Sequence, residues 1–191
     1  MAVNAESYYI NDLSTELIDL YKNIATSDET FFWYSELMDA SWENAVAFFK
    51  NNIVLVDKYI EYREEKVTKE DLKQYIHDFC KEKKDEILSI LGKELSSLPC
   101  ILLKEIETNL FRKMTRMCEL EIEKHILPQK DLYDNIETAI KSAVYMNYRY
   151  LYNDKSIADS AKTLHCALFL FMRNYAYSGM FRYSSKGDFN V

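Results

Sequence analysis

Apolar residues recur along most of this 191-residue chain at intervals of three and four, the spacing that gathers one face of an α-helix. After a short predicted strand, Tyr8 to Asn11, a helix opens at the cap residue Ser14, with Glu16 and Asp19 near its positive end. Asp28-Glu29-Thr30 starts a second helix, with Phe31, Phe32, Tyr34, Leu37 and Met38 on its apolar face. That pattern runs on through Trp42, Ala45, Phe48 and Phe49 until Asn51-Asn52 interrupts it. Ile53 to Val56 is rich in β-branched residues, yet Tyr59, Ile60 and Tyr62 follow at helical spacing, so helix is the better reading. Thr68 to Asp71 is a helix start, and Leu72, Tyr75, Ile76, Phe79, Ile87 and Leu91 form one stripe up to Gly92, with Lys81 to Glu86 as its solvated face.

Ser96-Ser97-Leu98-Pro99 makes the clearest break. Pro99 is expected to open the next helix, because a first-turn residue needs no amide proton. Leu103, Ile106, Leu110, Met114, Met117 and Leu120 then recur as a bundle stripe, the methionines as gap-filling core, and Pro128 ends it. Asp131 begins another helix with Leu132, Ile136, Ile140 and Ala143 on one side, closing on the tyrosine cluster from Tyr145 to Tyr152. Those tyrosines, with Arg149, fit either a platform on which exposed nucleobases stack or a core rim with wet hydroxyls. Asn153-Asp154 is a turn, Ser156 a cap, and Leu164 to Met172 an apolar helix buried nearly all round, with Gly179 as its stop.

Composition agrees with a mainly helical bundle. Three glycines and two prolines leave few turns, and 48% hydrophobic with 29% charged residues excludes a disordered chain and suits one main core. The net charge of -7 argues against a surface coated for nucleic acid, although from Lys141 to Asp188 seven cations face three acids, a surplus of four. Scattered surface lysines explain such a surplus as readily as a nucleic-acid face does. Cys80, Cys100, Cys118 and Cys166 are widely separated and read as small buried hydrophobes in a reducing cytoplasm. His77, His125 and His165 are isolated, so no metal is expected. No apolar run approaches the roughly 20 residues needed to span a bilayer, and a cytoplasmic protein is expected.

The C-terminal stretch changes character. Tyr177-Ser178-Gly179, Arg182-Tyr183, Gly187 and Phe189-Asn190-Val191 alternate aromatic, cationic and amide side chains, and Ser185-Lys186-Gly187-Asp188 has the chemistry of a hairpin turn. In residue types and spacing this segment closely resembles a signature of the D12-class (Dam-like) adenine-specific DNA methyltransferases, with Ser178 and Ser184 standing where asparagine is common. A second match is Asn11-Asp12-Leu13 with Leu17-Ile18 and Tyr21, which is similar to the family segment after its second strand. The resemblance implies that Asp12 holds the ribose of the cofactor S-adenosylmethionine; on its own an acid there is a helix cap or a dipole partner. It further implies that double-stranded DNA is met by Tyr177, Ser178, Met180, Arg182, Ser184, Lys186 and Asn190. Tyr177 and Met180 would wedge or touch bases, Arg182 would read a base edge and Lys186 would hold phosphate.

The family's catalytic parts have no counterpart in the sequence: it holds neither an Asp-Pro-Pro-Tyr loop nor a Gly-rich cofactor loop, its glycines being Gly92, Gly179 and Gly187. By the resemblance, residues 1–27 are the edge of a Rossmann-like methyltransferase sheet and residues 28–191 a helical target-recognition region ending in a truncated hairpin. The chain then reads as a piece whose partner is the missing catalytic portion, and methyl transfer to adenine N6 is not expected of it alone. Within the resemblance, the hairpin either meets DNA or merely packs against the missing catalytic sheet; the alternative to the resemblance is a noncatalytic helical protein-interaction module whose Phe-Asn-Val end is coincidence.

Overall fold

The computed structural model describes residues 12–176, 182–185 and 187–189. The expected strand at Tyr8 to Asn11 lies outside them. Ten helices follow one another: α1 (Thr15–Ala25), α2 (Glu29–Asn51), α3 (Val54–Arg63), α4 (Lys69–Glu82), α5 (Lys84–Ser89), α6 (Gly92–Ser96), α7 (Leu102–Glu123), α8 (Gln129–Tyr152), α9 (Lys155–Ser160) and α10 (Lys162–Tyr175). Among the described residues there is no sheet, only one antiparallel bridge between Tyr183 and Phe189.

Three of the starts with polar caps fall where the sequence pattern puts them. Ser14 accepts the Leu17 amide and Asp28 that of Phe31, while Thr68 and Asp71 form a reciprocal capping box; each satisfies a first-turn amide that the helix leaves unpaired. Other boundaries depart from the sequence pattern. Helix α7 begins at Leu102 rather than Pro99, with Ile101 as an uncapped start whose amide goes instead to Asn147 Oδ1 at 2.9 Å. Pro128 does not close α7, which ends at Glu123, but precedes α8, which begins two residues before Asp131. The side chain capping α9 is that of Asp154, which accepts the Ser156 amide. The stripe from Leu72 to Leu91 is broken at Lys83, and α10 stops at Tyr175, short of Gly179, which lies outside the described residues. Gly92, at φ +74°, allows the chain to turn from α5 into α6.

Helix α10 is the axis of one half. Leu164, Cys166, Ala167, Leu168, Phe169, Phe171 and Met172 are all buried, and α1, α2, α8 and α9 pack around them. Burying a side chain such as Leu168 or Phe171 contributes about 1.5–3 kcal/mol. Phe171 meets Tyr148 of α8 edge-on at 4.7 Å and Trp42 of α2 at 6.0 Å. In the other half α7 lies along α8 and carries α4 on its outer side. Its buried face includes Ile106, Leu110, Met114 and Met117, as the stripe predicts, but adds Leu102, Asn109 and Glu121, whereas Leu103 and Leu120 are only half-buried.

Polar side chains inside this core are paired except at Asn147, whose Oδ1 is used by Ile101 while its Nδ2 is buried with no partner among the described residues. Ser41 Oγ and Tyr148 Oη are 2.6 Å apart, and Tyr59 donates to Glu121 at 2.6 Å. The second oxygen of Glu121 accepts the Leu127 amide at 2.7 Å, which ties the α7–α8 connection to α3. Burial pushes the hydroxyls of Tyr59 and Tyr148 well above the ordinary tyrosine range, so both remain neutral.

Candidate nucleic-acid interface

Helix α8 ends on Tyr152, and its cap residue Asn153 does what a neighbouring strand would do. Its amide nitrogen donates to the Phe189 carbonyl at 3.1 Å and its oxygen accepts the Phe189 amide at 2.8 Å. One side chain thereby satisfies both main-chain groups of an edge residue. The turn that leads to Phe189 is closed locally: the Ser184 amide donates to Asp188 O at 2.7 Å and the Gly187 amide to Ser184 O at 2.9 Å. Gly187 sits at φ +86°, a conformation that side chains other than glycine adopt at a cost.

Aromatic packing fixes the hairpin in place. Phe189 is 2% exposed and meets Tyr152 edge-on at 5.8 Å and Tyr183 edge-on at 5.8 Å. Beneath it, the Tyr152 ring stacks on His165 at 4.5 Å and 10°. His165 Nε2 lies 3.1 Å from the Tyr152 carbonyl. Burial lowers the His165 pKa, opposed by that hydrogen bond and by Glu16; burial also raises that of Tyr152, assisted by the Tyr183 hydroxyl 3.5 Å away. The result is a neutral, layered base, with His165, Tyr152 and Phe189 in sequence from α10 outward.

The candidate contact residues separate in this frame. Arg182 is exposed at the foot of the bridge, and Ser184 is half-buried in the turn, where its Oγ accepts the Asp188 amide at 3.2 Å. Tyr177, Ser178, Met180, Lys186 and Asn190 lie outside the described residues. At the far end of the sequence Asp12 is exposed, and its Oδ1 accepts the Ser14 amide at 2.8 Å, a local turn that leads into α1. The tyrosine cluster divides as well. Tyr148 and Tyr152 are core, the Tyr148 hydroxyl bonded inward to Ser41 and that of Tyr152 facing Tyr183 of the hairpin, and Tyr150 is an exposed ring.

Beside the hairpin, Tyr150 and Arg149 line an open cleft of about 340 Å³ with Glu105, Asp154 and Asp188. Three carboxylates against one guanidinium give a wall that accepts hydrogen bonds from amino groups and repels phosphate. Among the described residues no group of His, Cys, Asp and Glu side chains is arranged to hold a metal ion, and no helix is long and apolar enough to cross a membrane. The Asn153 clamp had no signal in the sequence beyond a turn-forming Asn-Asp pair, because its partner is 36 residues away.

No protein-family model, curated protein or solved structure matches this chain.

Proposed function

We propose that this chain is the target-recognition part of a D12-class adenine-specific DNA methyltransferase, a protein that transfers a methyl group from S-adenosylmethionine to adenine N6 in DNA. The observation that supports the reading most is the docked turn. The described residues of the signature, among them Arg182, Tyr183, Gly187 and Phe189, lie at the end of α8, with Gly187 at a turn position that needs its conformational freedom and Arg182 exposed. An aromatic foundation below and a cation above suit an element that has to enter a duplex without collapsing.

In this reading Arg182 donates a bidentate pair to a guanine edge in the major groove, and Lys186 neutralises a phosphate. Tyr177 and Met180 act as the wedge that helps hold the duplex open while the target adenine is flipped, with Ser178, Ser184 and Asn190 completing the contact surface. Asp12, at the start of α1, accepts from the ribose hydroxyls of S-adenosylmethionine. Catalysis itself needs the Gly-rich and Asp-Pro-Pro-Tyr loops, which a catalytic portion joined to this region would supply. The acidic cleft beside Tyr150 would face exocyclic amino groups rather than the phosphate backbone.

Fluorescence anisotropy with a labelled duplex tests the reading. Affinity should fall as salt rises, and Arg182→Ala should lower it further by about 1–3 kcal/mol, a loss of roughly 5- to 150-fold. Lys186→Ala should weaken binding uniformly across sequences and reduce the salt slope by about one. Failure of the wild type to bind at low salt, or Arg182→Ala and Tyr177→Ala variants that bind as the wild type does, would return the chain to the class of helical interaction modules.

A further inference from the structure

Helix α7 carries two features at opposite ends of one face, and neither belongs to the hairpin. Near its start a groove of about 300 Å³ runs between α7 and the α4–α5 junction. Cys80 and Leu103 form its apolar floor, and the exposed lysines Lys81, Lys84 and Lys104 form its rim. The acid in the groove, Glu107, is paired with His77 at 3.3 Å. None of the three lysines makes an ion pair with a described residue or lies over a described ring. Three ammonium groups against the one carboxylate of Glu107, around an apolar floor on a chain of net charge -7, are complementary to an apolar side chain flanked by carboxylates.

The far end of α7 presents that pattern. Ile122 is 81% exposed and Ile126 69%, the most open isoleucines among the described residues. Glu119 and Glu123 are exposed on either side of Ile122, and Glu119 is engaged only in a surface pair with Arg116 at 3.0 Å, an interaction that contributes little and exchanges readily. Positions 104 and 122 are about five turns apart, so both lie on the same side of the helix, roughly 27 Å from one another. A helix with a socket at one end of a face and a matching tip at the other is self-complementary when two copies run antiparallel.

We infer that this chain pairs with a second copy of itself along α7, Ile122 of each copy seating on Leu103 and Cys80 of the other, with Glu119 and Glu123 meeting Lys81, Lys84 and Lys104. The pairing is isologous and uses each socket and each tip once. It stands independently of the methyltransferase reading.

Sedimentation velocity over a range of protein and salt concentrations provides the test. The wild type should be a concentration-dependent dimer that salt loosens. Ile122→Glu, a change at an exposed site that should leave the circular dichroism unchanged, should raise the dimer dissociation constant on the order of tenfold or more. The double reversals Lys84→Glu with Lys104→Glu, and Glu119→Lys with Glu123→Lys, should each give monomers, and an equimolar mixture of the two should recover a heterodimer because both contacts are then restored. A wild type that stays monomeric at the highest concentration, or a dimer indifferent to all these changes, would overturn the pairing. So would a monomer whose Lys84→Glu, Lys104→Glu variant loses affinity for duplex DNA, since the groove would then serve phosphate.

Discussion

The two ends of α8 are tied down by opposite chemistries. Before its first turn, the connection from α7 is held by a carboxylate: Glu121, its side chain 3% exposed, accepts from Tyr59 and Leu127 and has Arg63 at 3.6 Å. After its last turn, the hairpin is held by a neutral amide, Asn153, through two hydrogen bonds to one residue. Stripping partners from a buried charge costs several kcal/mol, whereas exchanging amide hydrogen bonds for water costs about 1 kcal/mol each. The first anchor is therefore expected to yield only with the whole bundle, and the second, two amide hydrogen bonds and the packing of Phe189, to open at lower cost.

Glu121→Ala should show the largest effect, lowering the unfolding free energy by about 3 kcal/mol in urea titration, because the Tyr59 hydroxyl and the Leu127 amide both lose their acceptor. A loss under about 0.5 kcal/mol would erase the distinction between the two anchors. Tyr59→Phe should cost about 1–3 kcal/mol in the same assay, since it leaves the carboxylate buried with one donor fewer. Asn153→Ala should change global stability by less than about 1 kcal/mol yet accelerate hydrogen exchange at the Phe189 amide, whose acceptor is lost. If Asn153→Ala instead lowered the midpoint as far as Glu121→Ala, the hairpin would be part of the cooperative core. The smallest effect concerns pH. The folded pKa of His165 is depressed, so its contribution to stability is present above its unfolded value of 6.5 and is lost as pH falls from there through the folded value. In His165→Phe that slope should disappear from the pH–stability profile.

Local chemistry was legible in the sequence where a side chain closes its own helix. Ser14, Asp28 and the Thr68–Asp71 pair place the starts of α1, α2 and α4 correctly, because a cap and its amide are within three residues of each other. Where tertiary contacts set the boundary it was not. The Ile101 amide is satisfied by Asn147, 46 residues on, so α7 starts beyond Pro99, and the break at Lys83 occurs with neither glycine nor proline nearby. The apolar stripe of α7 gave no place to Glu121, whose burial depends on Tyr59 and Leu127 arriving from other elements. At the candidate interface the hairpin turn was legible from Gly187, and Tyr148 and Tyr152 take the core side of the two readings open for the tyrosine cluster. The Asn153 clamp and the His165–Tyr152 stack are long-range pairings that no local pattern encodes.

The measurement that tests the central claim most directly is amide hydrogen exchange of the whole chain with and without a DNA duplex. If the hairpin reads DNA from an anchored base, the Ser184, Gly187 and Phe189 amides should gain protection on adding the duplex, while the Leu127 amide beside Glu121 should not change. Protection that appears along α7 and leaves the hairpin as it was, or no change anywhere under low-salt conditions, would contradict a DNA-reading hairpin at the end of α8.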